Sequence, residues 1–264
     1  MLESLLVAIT RVATWSDKQL LTHATGFFFE RDKHLFLITN RHVVLDEANQ
    51  HHPDRLEIEL HTNPENVAIT TQFSLPLYGS KQQPLWKEAS DAAGLIDVVA
   101  IKINRENLPQ NLFIAAFTPA HLLKDLDQIE IGTSVLILGF PLGFHDTLHH
   151  LPIARQAVIA SAFGMRFQGN GYFLTDARTH RGSSGTPVVA RLTEDVSSRG
   201  HLPWILLGIH SARLDVPRDT EQDERLNLNC AWYADVLMVL TEPAPAKKMP
   251  TIKKSAPLPI TNHL

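Results

Sequence analysis

Apolar and polar residues alternate in short runs along most of this chain, and few stretches keep the three-to-four spacing of a helix. The pattern predicts strands over Leu5–Ala13, Gly26–Phe29, Leu35–Ile38, Leu56–Leu60, Ala68–Ser74 and Val98–Ile103. A second set follows at Ser134–Gly139, Ile153–Ala162, Gly171–Thr175, Pro187–Ala190, Ile205–His210 and Leu226–Trp232. Between the sets, Asn104–Asp127 carries Pro109 and Pro119 and no clear alternation, so it reads as a connection. Two groups of about six short strands predict an all-β fold of two antiparallel six-stranded β-barrels, not alternating βαβ units. The expected division is 1–110 for the first barrel, 111–241 for the second and 242–264 for a tail. Trp232, Val236, Leu237 and Leu240 recur at helical spacing within Ala231–Thr241, which predicts a closing C-terminal helix that serves packing.

Composition narrows the class. The chain has 264 residues, 44% hydrophobic and 20% charged, enough for one globular unit or two fused small ones. A net charge of −4 supplies no basic field, so neither nucleic acid nor a membrane surface is an expected partner. Cys230 is the only cysteine, which excludes an internal disulfide and fits a reducing compartment. The stretch Met1–Trp15 is too short in its apolar run to span a bilayer and lacks the marks of a signal peptide, so a cytoplasmic location is expected. Glu242–Leu264 is rich in Pro and Lys with few large apolar residues and reads as a mobile extension rather than part of the core.

Three stretches carry candidate chemistry. Gly182-Ser183-Ser184-Gly185-Thr186-Pro187 reads as a sharp turn that presents a serine; Gly/Ser/Pro clusters also mark ordinary turns. A serine hydroxyl becomes a nucleophile only when a base takes its proton and fixed donors meet the developing oxyanion. Leu35-Phe36-Leu37-Ile38-Thr39-Asn40-Arg41-His42-Val43-Val44 is an apolar strand running into a histidine. Ile96-Asp97-Val98-Val99-Ala100-Ile101-Lys102-Ile103 sets an aspartate at the mouth of a strand apolar on both faces, where an unpaired carboxylate is costly. A histidine N–H or a backbone cap would serve as its partner. Asp91 is the rival acid, placed in a polar loop without a following apolar strand, with Asp46 and Asp176 further candidates.

In the order His42, Asp97, Ser184, these stretches resemble the three motifs of the trypsin-like, chymotrypsin-fold serine proteases. The likeness runs over residues 5–241 and implies an active site in the cleft between two barrels. It implies that His42 takes the Ser184 proton and returns it to the leaving amine, and that Asp97 fixes the imidazole tautomer. It also implies an oxyanion hole from the Gly182 and Ser184 N–H groups. Ser184 is chosen over Ser183 because it directly precedes Gly185 and stands three before Pro187. Ser183 fills a position held by Asp in zymogen-activated members, so maturation by N-terminal cleavage is not expected. Gly132–Gly143 and Thr175-Asp176-Ala177 resemble segments of the bacterial high-temperature-requirement proteases, without a following peptide-binding domain.

The substrate is expected to be a protein or peptide. Leu207-Gly208-Ile209-His210-Ser211 resembles the pocket strand of glutamyl endopeptidases, and Thr179 matches their pocket threonine. With Arg178, Arg181 and Arg213 adding positive charge, the resemblance implies an acidic residue before the scissile bond, with glutamine as the nearest competitor. Ser211 matches a serine that supports the catalytic aspartate. His145, Asp146, His149 and His150 lie in a loop without helix signal or a well-spaced carboxylate, so no metal and no cofactor is expected; His51 and His52 lie in another loop. The charged run Arg213–Arg225 reads as a solvated loop. The competing reading is a protease-like module that binds peptides with little proteolytic activity; an α/β-hydrolase is excluded by motif order.

Overall fold

Phe27, Phe28 and Phe29 are consecutive and all buried, which a strand allows only when both of its faces are covered. The structure, a computed structural model describing residues 2–191, 202–214 and 227–243, shows how. The N-terminal sheet contains β1 (Ile9–Ser16), β2 (Gln19–Arg31), β3 (His34–Thr39), β4 (Arg55–His61), β5 (Thr70–Pro76), β6 (Trp86–Asp91) and β7 (Gly94–Ile103). Its order is β5-β4-β1-β2-β3-β7-β6, every pairing antiparallel. The second sheet, β8 (Ser134–Gly139), β9 (Ile153–Val158), β10 (Tyr172–Thr175), β11 (Pro187–Ala190), β12 (Ile205–Leu214) and β13 (Leu228–Tyr233), runs β10-β13-β12-β11-β8-β9. Backbone bonds tie its end strands together, with Ile159 bridging Thr175 and Ala160 N–H donating to Leu174 O at 2.8 Å.

Alternate side chains of the central strands enter different cores. Phe28, Leu35, Leu37, Val99 and Ile101 fill the interior of the first sheet. Their neighbours Phe27, Phe29, Phe36, Ile38, Val98 and Ala100 point the other way, into a core shared with Phe140, Val189, Leu206 and Trp232 of the second. Val188, Ala190, Ile205 and Leu207 fill the second interior. Fully burying one such side chain is worth about 1.5–3 kcal/mol, so the shared core holds the two sheets firmly together.

The all-β, two-sheet expectation holds with three corrections. The first sheet has seven strands rather than six, because β6 is a polar edge strand whose residues after Trp86 are mostly exposed. Asp91 therefore ends a strand instead of lying in a loop. The C-terminal helix α2 covers only Val236–Leu240, since Ala231–Tyr233 belong to β13. Leu6–Ala8 is a single 3-10 turn rather than the start of β1. The connecting segment packs on both sheets: Phe117 exchanges backbone bonds with Phe28 and Glu30, and Leu122 bridges Leu206. Most of the charged run after Leu214 and the tail after Pro243 lie outside the described residues. Among those described, no helix is long and apolar enough to cross a membrane.

Candidate active site

β3 ends at Thr39, and a single helical turn, α1 (Arg41–Val44), follows it. Val43 and Val44 are buried and pin that turn against the first sheet, leaving the ring of His42, between them and Arg41, half-exposed. Asp97 lies on β7 next to buried Val98 and faces the same turn. The His42 backbone N–H donates to Asp97 Oδ1 at 2.9 Å, and His42 Nδ1 meets Asp97 Oδ2 at 2.7 Å. Ser211, on β12, donates its hydroxyl to the same Oδ2 at 2.5 Å. Backbone bond and ring bond together fix the Nδ1–H tautomer, leaving Nε2 as the basic nitrogen. Burial opposes a charge on His42, but the Asp97 hydrogen bond, the Asp97 charge and Asp46 outweigh it and raise the pKa above 6.5.

Ser184 reaches this pair from the other sheet. It sits between Gly182 (φ +91°) and Gly185 (φ +82°) in the turn before β11. A Cβ on Gly185 would lie 2.1 Å from Thr25 O, so only glycine admits the close approach. Thr25, buried on β2, clamps the turn twice: its N–H donates to Ser184 O at 2.9 Å and its hydroxyl to Gly182 O at 2.8 Å. Leu142 N–H donates to Arg181 O at 2.6 Å. Because a trans peptide points C=O and N–H in opposite directions, that bond turns the Gly182 N–H away from Leu142. Among the described residues neither the Gly182 nor the Ser184 N–H has an acceptor. The Ser184 hydroxyl donates to Ser211 O at 3.3 Å and makes no bond to His42.

The predicted pocket residues divide. Thr179 is buried and donates to Asn229 Oδ1 at 2.5 Å, while Asn229 Nδ2 donates to Ala177 O at 2.5 Å. His210 is 2% exposed, and its Nδ1 has no partner among the described residues. Burial, with the nearby His42, pushes its pKa down to about 4, so it is neutral at pH 7. Arg178 and Arg181 are exposed, and the Arg213 side chain lies outside the described residues.

The rival acids are occupied elsewhere. Asp91 accepts from Arg166 Nη2 at 2.5 Å and from the Ala93 N–H. Asp176 accepts from Val158 N–H, and Asp46 from Asn49. In the histidine loop, His149 Nδ1 lies 2.7 Å from Asp146 Oδ2, and His150 Nδ1 3.0 Å from Glu59 Oε1. Among the described residues no three ligating side chains converge to hold a metal ion. Sequence reasoning missed Thr25, Asn40 and Asn229, buried polar residues whose partners lie far along the chain. For Thr25 and Asn229 the only local signal was a polar side chain where strand patterning calls for an apolar one, and Asn40 has the look of an ordinary helix N-cap.

Comparison with known proteins gives the family and the fold. A family model described as a trypsin-like peptidase domain matches residues 24–196, which include Thr25, His42, Asp97 and Ser184. The crystal structure of the serine endoprotease from Yersinia pestis is similar over 89% of this chain, with a TM-score of 0.51 and 17% sequence identity. At that identity the likeness concerns the fold. This chain spans 61% of that one. No curated protein matches it.

Proposed function

The chain belongs to the trypsin-like peptidase family, and from that premise we propose a serine endopeptidase with Ser184 as nucleophile, His42 as base and Asp97 as its orienting acid. The observation that carries this reading is the two-point grip of Asp97 on His42, ring and backbone, facing the Gly182–Gly185 turn. Reaction begins with rotation of the Ser184 hydroxyl from Ser211 O toward His42. The imidazole accepts its proton as Oγ attacks the substrate carbonyl carbon, and the Asp97 carboxylate stabilises the imidazolium. The Gly182 and Ser184 N–H groups receive the oxyanion, where loss of one donor costs about 100–1,000-fold in rate. The imidazolium then protonates the leaving amine, the C–N bond breaks, and water repeats the sequence on the acyl-enzyme.

For the side chain before the scissile bond we propose an acidic residue. Thr179 and His210 support it, with Arg178 and Arg181 as nearby cations in sequence. The neutral state of His210 favours a second reading, glutamine, because an uncharged imidazole offers a hydrogen bond rather than charge. Profiling a peptide library decides: preference for Arg, Lys or Phe overturns both.

A fluorophosphonate probe tests the chemistry. Wild type is expected to label, and Ser184→Ala and His42→Ala are not. Labelling that does not depend on Ser184 overturns the proposal and leaves a peptide-binding module of the same fold.

A further inference from the structure

We propose that Asn40 is a positioning residue for this reaction, holding the acid strand and the nucleophile turn in one frame. Its side-chain amide spans the two sheets: Nδ2 donates to the Asp97 carbonyl oxygen at 2.6 Å, and Oδ1 accepts from the Gly185 N–H at 2.5 Å. The inference rests on the serine-peptidase reading above, since it concerns the placement of Asp97 and Ser184.

Three features separate this from an ordinary buried asparagine. Asn40 stands at the N-cap of α1, where an asparagine usually bonds back to the first turn of its own helix, yet it makes no side-chain cap bond. The side chain instead turns away, fully buried, and uses both ends elsewhere. Next, the Asp97 carbonyl falls in a gap in the sheet. β7 pairs with β3 only as far as Val99, and its register with β6 shifts between Glu88 and Ser90, opposite that gap. The Asn40 amide supplies the donor that neither strand provides, so the peptide of Asp97 is fixed by a side chain. Finally, only one orientation of the amide works: flipped, its NH2 would face the Gly185 N–H and its oxygen the Asp97 carbonyl oxygen. The residue before His42's own turn thus ties the backbone of the acid to the residue after the serine. Gly185 also donates to His210 O at 3.0 Å, so the turn keeps one anchor when Asn40 is removed.

The test compares wild type, Asn40→Ala and Asn40→Asp, with Asp97→Asn as reference. Asn40→Ala removes both bonds; Asn40→Asp keeps size and the acceptor but cannot donate to Asp97 O while ionised. Three readouts are taken: the second-order rate of fluorophosphonate labelling, kcat and KM on a short peptide ester, and the pH profile of labelling. The expected result is a loss of about 10–100-fold in labelling rate and kcat for both variants, the scale of a ~1 Å misplacement. KM stays near wild type, and the acid limb of the pH profile moves down as Asp97 loosens from His42. If either folded variant labels at the wild-type rate with an unmoved acid limb, the proposal is overturned, whatever its melting temperature. Should Asn40→Ala fail to fold, the isosteric Asn40→Asp decides alone on the same criteria. A wild type whose labelling does not depend on Ser184 is a different outcome, overturning the peptidase reading and this inference with it.

Discussion

Ser211 and His42 share one oxygen of Asp97: the serine hydroxyl donates to Oδ2 at 2.5 Å from the second sheet, and the His42 ring meets it at 2.7 Å from the first. The acid is therefore oriented by both halves of the molecule. Oδ1 is held by the backbone N–H of His42, so rotation of the carboxylate breaks every one of these bonds at once. Ser211 also accepts, through its carbonyl, the bond from Ser184.

Ser211→Ala removes one of the two donors on Oδ2 without opening a large cavity. We expect kcat/KM on a peptide substrate to fall roughly tenfold, the rate equivalent of about one hydrogen bond. An unchanged value would show that His42 alone orients the acid.

Asp97→Asn and Asp91→Asn distinguish the two acids nearest in sequence. Asp97→Asn presents an amide to His42, favours the wrong tautomer, and is expected to lower kcat by about four orders of magnitude, the loss found for this exchange in a Ser-His-Asp triad. Asp91→Asn only releases Arg166 and is expected to leave kcat unchanged. The reverse pattern would reassign the acid.

Activity and His42 stability respond to pH with opposite signs. Catalysis needs neutral imidazole, so the rate falls as pH drops through the His42 pKa, and that limb lies above 6.5 because Asp97 and Asp46 outweigh burial. Asp46→Asn is expected to move the limb down. A raised folded-state pKa means that the charged form is favoured in the fold. Its contribution to stability is full below the unfolded value and is lost as pH rises through the folded one. A pH–rate profile and melts at each pH check both signs.

His210 works in the other direction. Its pKa of about 4 lies below the ordinary 6.5, so the unfolded chain binds this proton first as pH falls. Its contribution to stability is present above 6.5 and declines from there to about pH 4. His210→Leu is expected to flatten melting temperature across that interval, whatever it costs in absolute terms.

Gly185→Ala and Gly169→Ala separate strain from clash. Both glycines have φ of +82°, a conformation costing an L-residue about 1–2 kcal/mol. A Cβ at Gly169 meets nothing within 4 Å, but at Gly185 it lies 2.1 Å from Thr25 O and 2.5 Å from Thr39 Oγ1. Gly169→Ala is expected to lower the melting temperature a few degrees and keep activity. Gly185→Ala is expected to abolish labelling.

The strands legible in the sequence were those with clean alternation, such as Leu56–Leu60, and those with continuous apolar runs, where burial on both faces leaves no polar positions to confuse the pattern. Phe27–Phe29 and Val98–Ile101 are of this kind. β6 escaped because an edge strand can be polar throughout once Trp86 anchors it. His42, Asp97 and Ser184 stood out through their motifs, whose apolar and glycine neighbours are local. Thr25, Asn40 and Asn229 did not, because their roles depend on atoms brought from other strands. The placement of Thr179 against Asn229 and the seclusion of His210 likewise exist only after the strands pair.

His42 and Asp97 belong to the first sheet, Ser184 and Ser211 to the second. A ribosome building this chain from its amino terminus thus delivers the proposed base and acid well before it delivers the proposed nucleophile. The nascent first sheet holds no nucleophile, and the serine, once made, has no base until the sheets close on their shared core. On the proposed triad, reactivity therefore waits until the two sheets meet.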